Sequence, residues 1–200
     1  MIIAGLILAG GESRRMGSPK ALMRYRGEMF LDRLILTLGQ ACAPVIVVLG
    51  CEPRNIWAGL RHGVLATFVH NPAYELGQLT SLQRGLEAVP TEAEGVMFTP
   101  VDYPAVLPST VVQIAKRFWE RTPQELLVVP RAEGRGGHPV CVTRELIVEF
   151  LALPSGAQAR EVIRRHREAT AYVDVDDRGI LEDVDDPETY ARLRANDTLA

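Results

Sequence analysis

Five short apolar runs, Ile2–Leu8, Val45–Leu49, Ala66–Val69, Val96–Thr99 and Leu126–Val129, punctuate the chain. Between them, apolar residues recur every three or four positions. Short apolar runs of this kind are the pattern of strands buried on both faces, and the longer periodic stretches are that of amphipathic helices. The spacing predicts helices over Phe30–Cys42, Arg54–Leu60, Thr80–Ala88, Ser109–Arg121, Arg144–Ala152, Ala157–Arg167 and Pro187–Ala195. Strand and helix in alternation imply a mostly parallel central sheet with helices on both faces, a Rossmann-like three-layer αβα sandwich in the α/β class. Ligands of such open sheets bind beyond the carboxyl ends of the strands. The loops after Leu8 and after Thr99 are therefore expected to meet at one site.

The first of these loops carries the strongest chemical signal. Leu8-Ala9-Gly10-Gly11-Glu12-Ser13-Arg14-Arg15-Met16-Gly17-Ser18-Pro19-Lys20 follows directly on the first apolar run. Glycines let the backbone turn and bring N–H groups against phosphate oxygens, and Arg14, Arg15 and Lys20 supply charge to match a polyphosphate. The stretch is not a P-loop, because Gly11 and Gly17 are too far apart for that spacing and Pro19 precedes the lysine. Nor is it a dinucleotide fingerprint, since Pro19 disfavours a helix running through it. What remains is a long cationic loop suited to a nucleoside triphosphate.

A second candidate stands at the end of the fourth run. In Pro100-Val101-Asp102-Tyr103-Pro104 an aspartate sits at a strand tip between prolines that stiffen its approach. Magnesium takes hard oxygen ligands, commonly one or two carboxylates with phosphate and water completing the shell, so Asp102 is a metal candidate. A turn or helix-cap aspartate ahead of Ser109 is the simpler alternative.

Composition narrows the partners. With 200 residues, 47% of them hydrophobic, the chain can bury a sizeable core, and a single domain over residues 1–200 is expected because nothing reads as a linker or repeat. A net charge of −3 argues against general nucleic-acid binding. No long apolar segment suggests a membrane span, and the amino terminus lacks a secretory pattern, so a cytoplasmic location is expected. Cys42, Cys51 and Cys141 match no zinc spacing and read as reduced, mostly buried small residues.

The first loop resembles the signature Leu-x-Gly-Gly-x-(Ser/Gly)-x-Arg-Met-Gly-x-Pro-Lys of the MobA-like nucleotidyltransferases, within the wider nucleoside-triphosphate transferase superfamily, and meets every fixed position. The resemblance implies the nucleotide-diphospho-sugar transferase type of fold and a magnesium-dependent transfer of a nucleoside monophosphate from CTP or GTP to a phosphate-bearing acceptor. It implies nucleotide binding by Leu8, Ala9, Gly10, Gly11, Ser13, Arg15 and Lys20, with Arg15, Lys20 and Asp102 in catalytic roles. Further along, Leu181-Glu182-Asp183-Val184-Asp185-Asp186-Pro187-Glu188 looks like the family's Asp-Ile-Asp-Thr-Pro-Glu-Asp motif. By that likeness Asp185 joins Asp102 as a metal ligand with Asp183 nearby, while Asp186 and Pro187 start the last helix.

Two more stretches resemble the branch that makes cytidylylated molybdenum cofactor. Asn71-Pro72 through Leu86 is similar to the segment that meets the nucleobase in relatives, which assigns Gly77, Thr80 and Ser81 to nucleotide binding; a capped helix after a turn accounts for Thr80 and Ser81 equally well. Gly137-His138-Pro139 matches a Gly-His-Pro lining the acceptor side, and Arg160 keeps its register in a motif otherwise changed to Ser155-Gly156-Ala157-Gln158-Ala159-Arg160. His138 and Arg160 are thus expected at the acceptor, although a lone histidine is commonly structural. The Leu-Ala-Gly-Gly form of the first loop is instead typical of guanylyltransferase relatives. A guanylyltransferase, a sugar- or alcohol-phosphate nucleotidyltransferase, and a non-catalytic cofactor-carrying chaperone remain as alternatives.

Overall fold

The computed structural model describes residues 2–197, apart from the side chains of Arg14, Asn196 and Asp197. In chain order the first elements are β1 (Ile2–Ala9), the small hairpin of β2 (Arg24–Tyr25) and β3 (Glu28–Met29), α1 (Phe30–Leu38), β4 (Val45–Leu49), α2 (Pro53–Gly59), β5 (Thr67–His70) and α3 (Gln78–Leu86). There follow β6 (Ala93–Pro100), α4 (Pro108–Trp119), β7 (Leu127–Ala132), β8 (Arg135–Gly136), β9 (Val140–Thr143), α5 (Arg144–Leu151), α6 (Arg160–Arg165), β10 (Thr170–Asp174) and α7 (Pro187–Asp197). Short 3-10 turns fill several connections, including Arg14–Met16, Lys20–Leu22 and Arg178–Leu181.

Eight strands form the central sheet, in the order β10-β7-β9-β6-β1-β4-β5 with β8 paired to β7, while β2 and β3 pair separately. β1 runs parallel to both β4 and β6, as β4 does to β5 and β7 to β10. Among the described residues of this sheet, only β8 and β9 run against their neighbours. The chain first builds outward from β1 to β4 and β5, then returns to the other side of β1 to lay down β6. The order reverses at β1, which leaves a crevice above its carboxyl end. Register brings Leu8 of β1 beside Pro100 of β6, and the Val101 amide donates to the Leu8 carbonyl at 3.0 Å. The loops that begin at Gly10 and Val101 therefore leave the sheet side by side.

Both faces of the sheet are packed. Ile3 and Ile7 of β1 join α1, α4 and Leu193 of α7 in one core, and Leu6 and Leu8 join α3, α5 and α6 in the other. Alternate residues of one apolar strand thus serve opposite cores, which is why β1 shows no polar alternation.

Three expectations need adjusting. The helix expected to reach Cys42 stops at Leu38, because Gly39 and the approach to Pro44 end it. The helix expected over Ala157–Arg167 is shorter, running from Arg160 to Arg165, and a separate 3-10 turn over Arg167–Ala169 follows it. Two strands, β9 and β10, were not among the five runs; β9 is four residues long and β10, Thr-Ala-Tyr-Val-Asp, is an edge strand with exposed polar positions.

Candidate active site

The first loop folds back on itself through its own side chains. Ser13 takes a left-handed conformation (φ 52°), its carbonyl accepts from the Met16 amide, and its Oγ accepts from the Lys20 amide at 3.0 Å. That last bond closes the loop and starts the short turn from which the Lys20 side chain projects. Gly10 lies against α3, where a Cβ would come within 2.7 Å of Ser81 Oγ. The Ser81 hydroxyl is itself fixed, since the buried Asn71 side chain donates to it at 3.0 Å.

Lys20 leads into a cluster of carboxylates. Its Nζ stands 2.6 Å from Asp185 Oδ1 and 3.2 Å from Asp102 Oδ1. Asp102, Asp183 and Asp185 each turn an oxygen into a space where all three atoms lie within 4.8 Å of one another. The backbone accounts for this convergence. Val184 is buried in the core and donates its amide to the Asp102 carbonyl at 2.9 Å, so its two neighbours flank Asp102 and project away from the core. Asp186 behaves differently: its carboxylate accepts from the Thr189 amide at 2.8 Å, and Thr189 Oγ1 accepts from the Asp186 amide at 3.2 Å, a reciprocal cap on α7. Asp186 thus serves the helix.

Crowding shows in the acid strengths. Burial, opposed by Lys20 and reinforced by Asp183 and Asp185, pushes the Asp102 carboxyl up to about 6. Asp183 is also raised, by burial and then by Asp185. For Lys20, burial works against the cation, but Asp102 and Asp185 outweigh it and hold its pKa above the ordinary value. An assembly of this kind holds more negative charge than one ammonium offsets, and its donors are hard oxygens, the ligand type that suits magnesium.

Two cavities open around the cluster. The first, about 650 Å³, takes in Leu8, Ala9, Gly10, Gly11, Ser13, Arg15, Lys20, Gly77 and Ser81 together with Asp102 and Asp185. Gly77 adopts φ 110° and ψ 171°, a conformation open to glycine, as the chain enters α3. Thr80 stands apart from this cavity's lining. Its hydroxyl lies 2.8 Å from the Gly77 carbonyl and 3.1 Å from that of Ala73, either of which can take its proton, and it accepts from Asn71. It ties the turn before α3 to the helix. The side chain of Arg14 lies outside the described residues.

The second cavity, about 900 Å³, contains His138 and Arg160. Burial, partly offset by the Phe98 backbone, lowers the His138 pKa to about 4, so the ring is neutral, and it packs against Tyr103 with centroids 4.7 Å apart. Leu8, Gln78 and Pro100 line both cavities and form the seam between them.

Of the twelve nucleotide and metal positions expected from the sequence, eleven line the first cavity, while Glu12, Tyr74, Glu75 and Gln78 there and Tyr103, Arg131, Arg135, Arg164 and Arg167 in the second cavity were not among the expected site residues. Arg160, Arg164 and Arg167 stand four and three residues apart, a one-face helical spacing that was available in the sequence.

A sequence model of the MobA-like NTP transferase domain matches residues 5–170. The chain belongs to this family. As a MobA-like NTP transferase it is a nucleotidyltransferase, in line with its named relatives. It is 25% identical over 185 residues to the molybdenum cofactor cytidylyltransferase of Escherichia coli K12, covering 92% of each chain. It is 30% identical over 163 residues to a probable molybdenum cofactor guanylyltransferase of Mycobacterium tuberculosis, covering 80% of this chain and 77% of the relative. Among solved structures, Rv0371c of Mycobacterium tuberculosis H37Rv superimposes with a TM-score of 0.82 at 26% identity, over 98% of this chain and 99% of that one. A nucleotidyl transferase from Methanothermobacter shares the fold at a TM-score of 0.80 and 20% identity, over 99% and 98% of the two chains. The family match ends before Asp183 and Asp185, so their place in this MobA-like site rests on the geometry given above.

Proposed function

We propose that the protein transfers a nucleoside monophosphate from a nucleoside triphosphate to a phosphate-bearing acceptor and releases pyrophosphate, as a molybdenum cofactor cytidylyltransferase does. One observation carries the reading: a cavity walled by the glycine loop and a second, arginine-lined cavity meet at Leu8, Gln78 and Pro100, beside the Lys20 and aspartate cluster. Donor and acceptor in neighbouring cavities have their reacting groups at that seam.

In this mechanism an oxygen of the acceptor phosphate attacks the α phosphorus of the nucleotide. A new P–O bond forms, the bond to the bridging oxygen of the β phosphate breaks, and pyrophosphate leaves with the bonding pair. A phosphate is already ionised near neutral pH, so no strong general base is needed, and catalysis reduces to orientation and charge stabilisation. The amides of Gly10 and Gly11 with Arg15 hold the β and γ phosphates, and Lys20 offsets charge gathering around the α phosphate. Gly77 and Ser81 border the nucleoside. His138, kept neutral by burial, adds no charge of its own and holds the wall of the acceptor cavity with Tyr103. Asp102 and Asp185, with Asp183, are the residues that would hold magnesium, which when bound supplies positive charge to phosphate oxygens.

The base is expected to be cytosine, on the strength of the Asn71–Leu86 segment and the likeness to the Escherichia coli cytidylyltransferase over 92% of each chain. The Leu-Ala-Gly-Gly form of the first loop supports a second reading, guanylyl transfer, in keeping with the names of several relatives. Pyrophosphate release, measured with CTP and with GTP against a panel of acceptors that includes molybdenum cofactor and sugar phosphates, tests the function. Release that requires both CTP and the molybdenum cofactor supports it, and release with no combination refutes it.

A further inference from the structure

Lys20 and the proposed magnesium ion compete for the same carboxylates. The Lys20 ammonium stands 2.6 Å from Asp185 Oδ1 and 3.2 Å from Asp102 Oδ1, so it bridges two of the three aspartates assigned to the metal. Magnesium holds its oxygen ligands at about 2.0–2.1 Å. An ion on that Asp185 oxygen would lie no more than about 4.7 Å from the ammonium. Two cations that close repel strongly, the more so because the Lys20 side chain is only 11% exposed.

The same side chain has a second destination. Lys20 lines the donor cavity with Gly10, Gly11, Ser13 and Arg15. Its backbone is anchored where its amide donates to Ser13 Oγ, and its flexible four-carbon stem lets the ammonium turn about that anchor while the loop stays in place. The transfer mechanism needs the ammonium at the α phosphate, whereas the structure holds it on Asp102 and Asp185. On the carboxylates it offsets negative charge that three aspartates gather into one small space. Turned to the phosphates, it leaves that space to a divalent ion, whose two charges offset the aspartates more fully.

We propose that Lys20 is a placeholder cation: before a nucleotide binds it sits in the magnesium position, and it vacates that position when a triphosphate arrives, so that metal and nucleotide enter together. This rests on the readings of the carboxylate cluster as a metal site and of the first cavity as the donor site. Magnesium alone must displace an ammonium that has no better partner. A triphosphate alone draws the ammonium away and then faces uncompensated carboxylates. Each ligand thus removes the obstacle to the other, a coupling that is reciprocal.

Lys20 and Lys116 are the two lysines of the chain, and Lys116 is 74% exposed, so NMR of protein labelled with 15N-lysine tells their ammonium groups apart. The Lys20 ammonium of the ligand-free protein is expected to give a signal protected from water exchange. Magnesium with CTP, their binding read independently by thermal shift, is expected to move that signal. A Lys20 signal that stays in place while both ligands are bound overturns the inference. Manganese, which shares the preference of magnesium for oxygen ligands, reports the competition by electron paramagnetic resonance. Without nucleotide, K20M is expected to bind it about tenfold tighter or more than the parent protein does, the scale of losing one competing charge a few ångströms away. Equal affinities overturn the inference, and if K20M fails to fold, as read by its melting curve, the NMR measurement on the parent protein decides alone. No manganese binding by folded K20M, or no thermal shift with magnesium and CTP, would instead refute the metal or the donor reading, and the inference with it.

Discussion

The amide of Val184 donates to the carbonyl of Asp102 at 2.9 Å, joining two segments more than 80 residues apart by a backbone bond in the middle of the carboxylate cluster. With the Val184 side chain anchored in the core, Asp183 and Asp185 are delivered together to Asp102. Val184→Ala is expected to cost about 1–3 kcal/mol of stability, read by equilibrium denaturation, and to weaken magnesium binding, read by calorimetry. A stably folded V184A protein with unaltered magnesium affinity would show that this anchor does not align the aspartates.

Lys20 is held between Asp185 and Asp102 and faces the donor cavity. Lys20→Ala is expected to lower turnover by on the order of a hundredfold or more, the scale of losing one charged transition-state contact. Steady-state kinetics alongside a melting curve checks this. Near-normal turnover would remove Lys20 from the chemistry.

Asp102→Asn separates catalysis from stability. Magnesium-dependent activity is expected to disappear while circular dichroism stays native. The folded-state pKa of Asp102, about 6, lies above its ordinary value of 3.8. The folded protein therefore binds more protons than the unfolded chain between these values, and the Asp102 charge destabilises the metal-free protein increasingly as pH rises from about 4 to about 6. Without metal, D102N is expected to melt a few degrees above the parent at pH 7 and to lose that advantage near pH 4. A lower melting temperature at pH 7 would contradict the assigned charge crowding.

Gly10 sits where a methyl group would press on the hydrogen-bonded Ser81 hydroxyl. Gly10→Ala is expected to destabilise the protein by about 1–3 kcal/mol, and the added Ser81→Ala to recover part of that loss. Thermal denaturation of both variants decides it; equal losses in the single and double variants would mean that the conflict lies elsewhere.

How far the sequence discloses the molecule depends on whether a feature is contiguous. β1 and β4 are readable because both of their faces are buried, and the phosphate loop because its residues follow one another from Leu8 to Lys20. Asp186 and Pro187 announce the start of α7 locally. β9 escaped because four residues after a glycine-rich loop carry little periodicity, and its antiparallel direction is set by tertiary pairing with β6 and β7. Thr80 was grouped with Ser81 although helix geometry turns it toward Asn71 and away from the cavity lining. The arginines that line the second cavity come from β7, β8, α6 and the turn after it, so only the fold brings them to one cavity.

The central claim is that the cavity around the first loop binds a nucleoside triphosphate, with CTP preferred, through magnesium held by Asp102 and its neighbours. Thermal denaturation with CTP, GTP, ATP and UTP, each with and without magnesium, tests it most directly, because a ligand that binds only the folded state raises the melting temperature. The account predicts the largest rise with CTP and magnesium, and loss of that rise in D102N. A larger rise with GTP would favour guanylyl transfer, and no rise with any triphosphate would contradict the account.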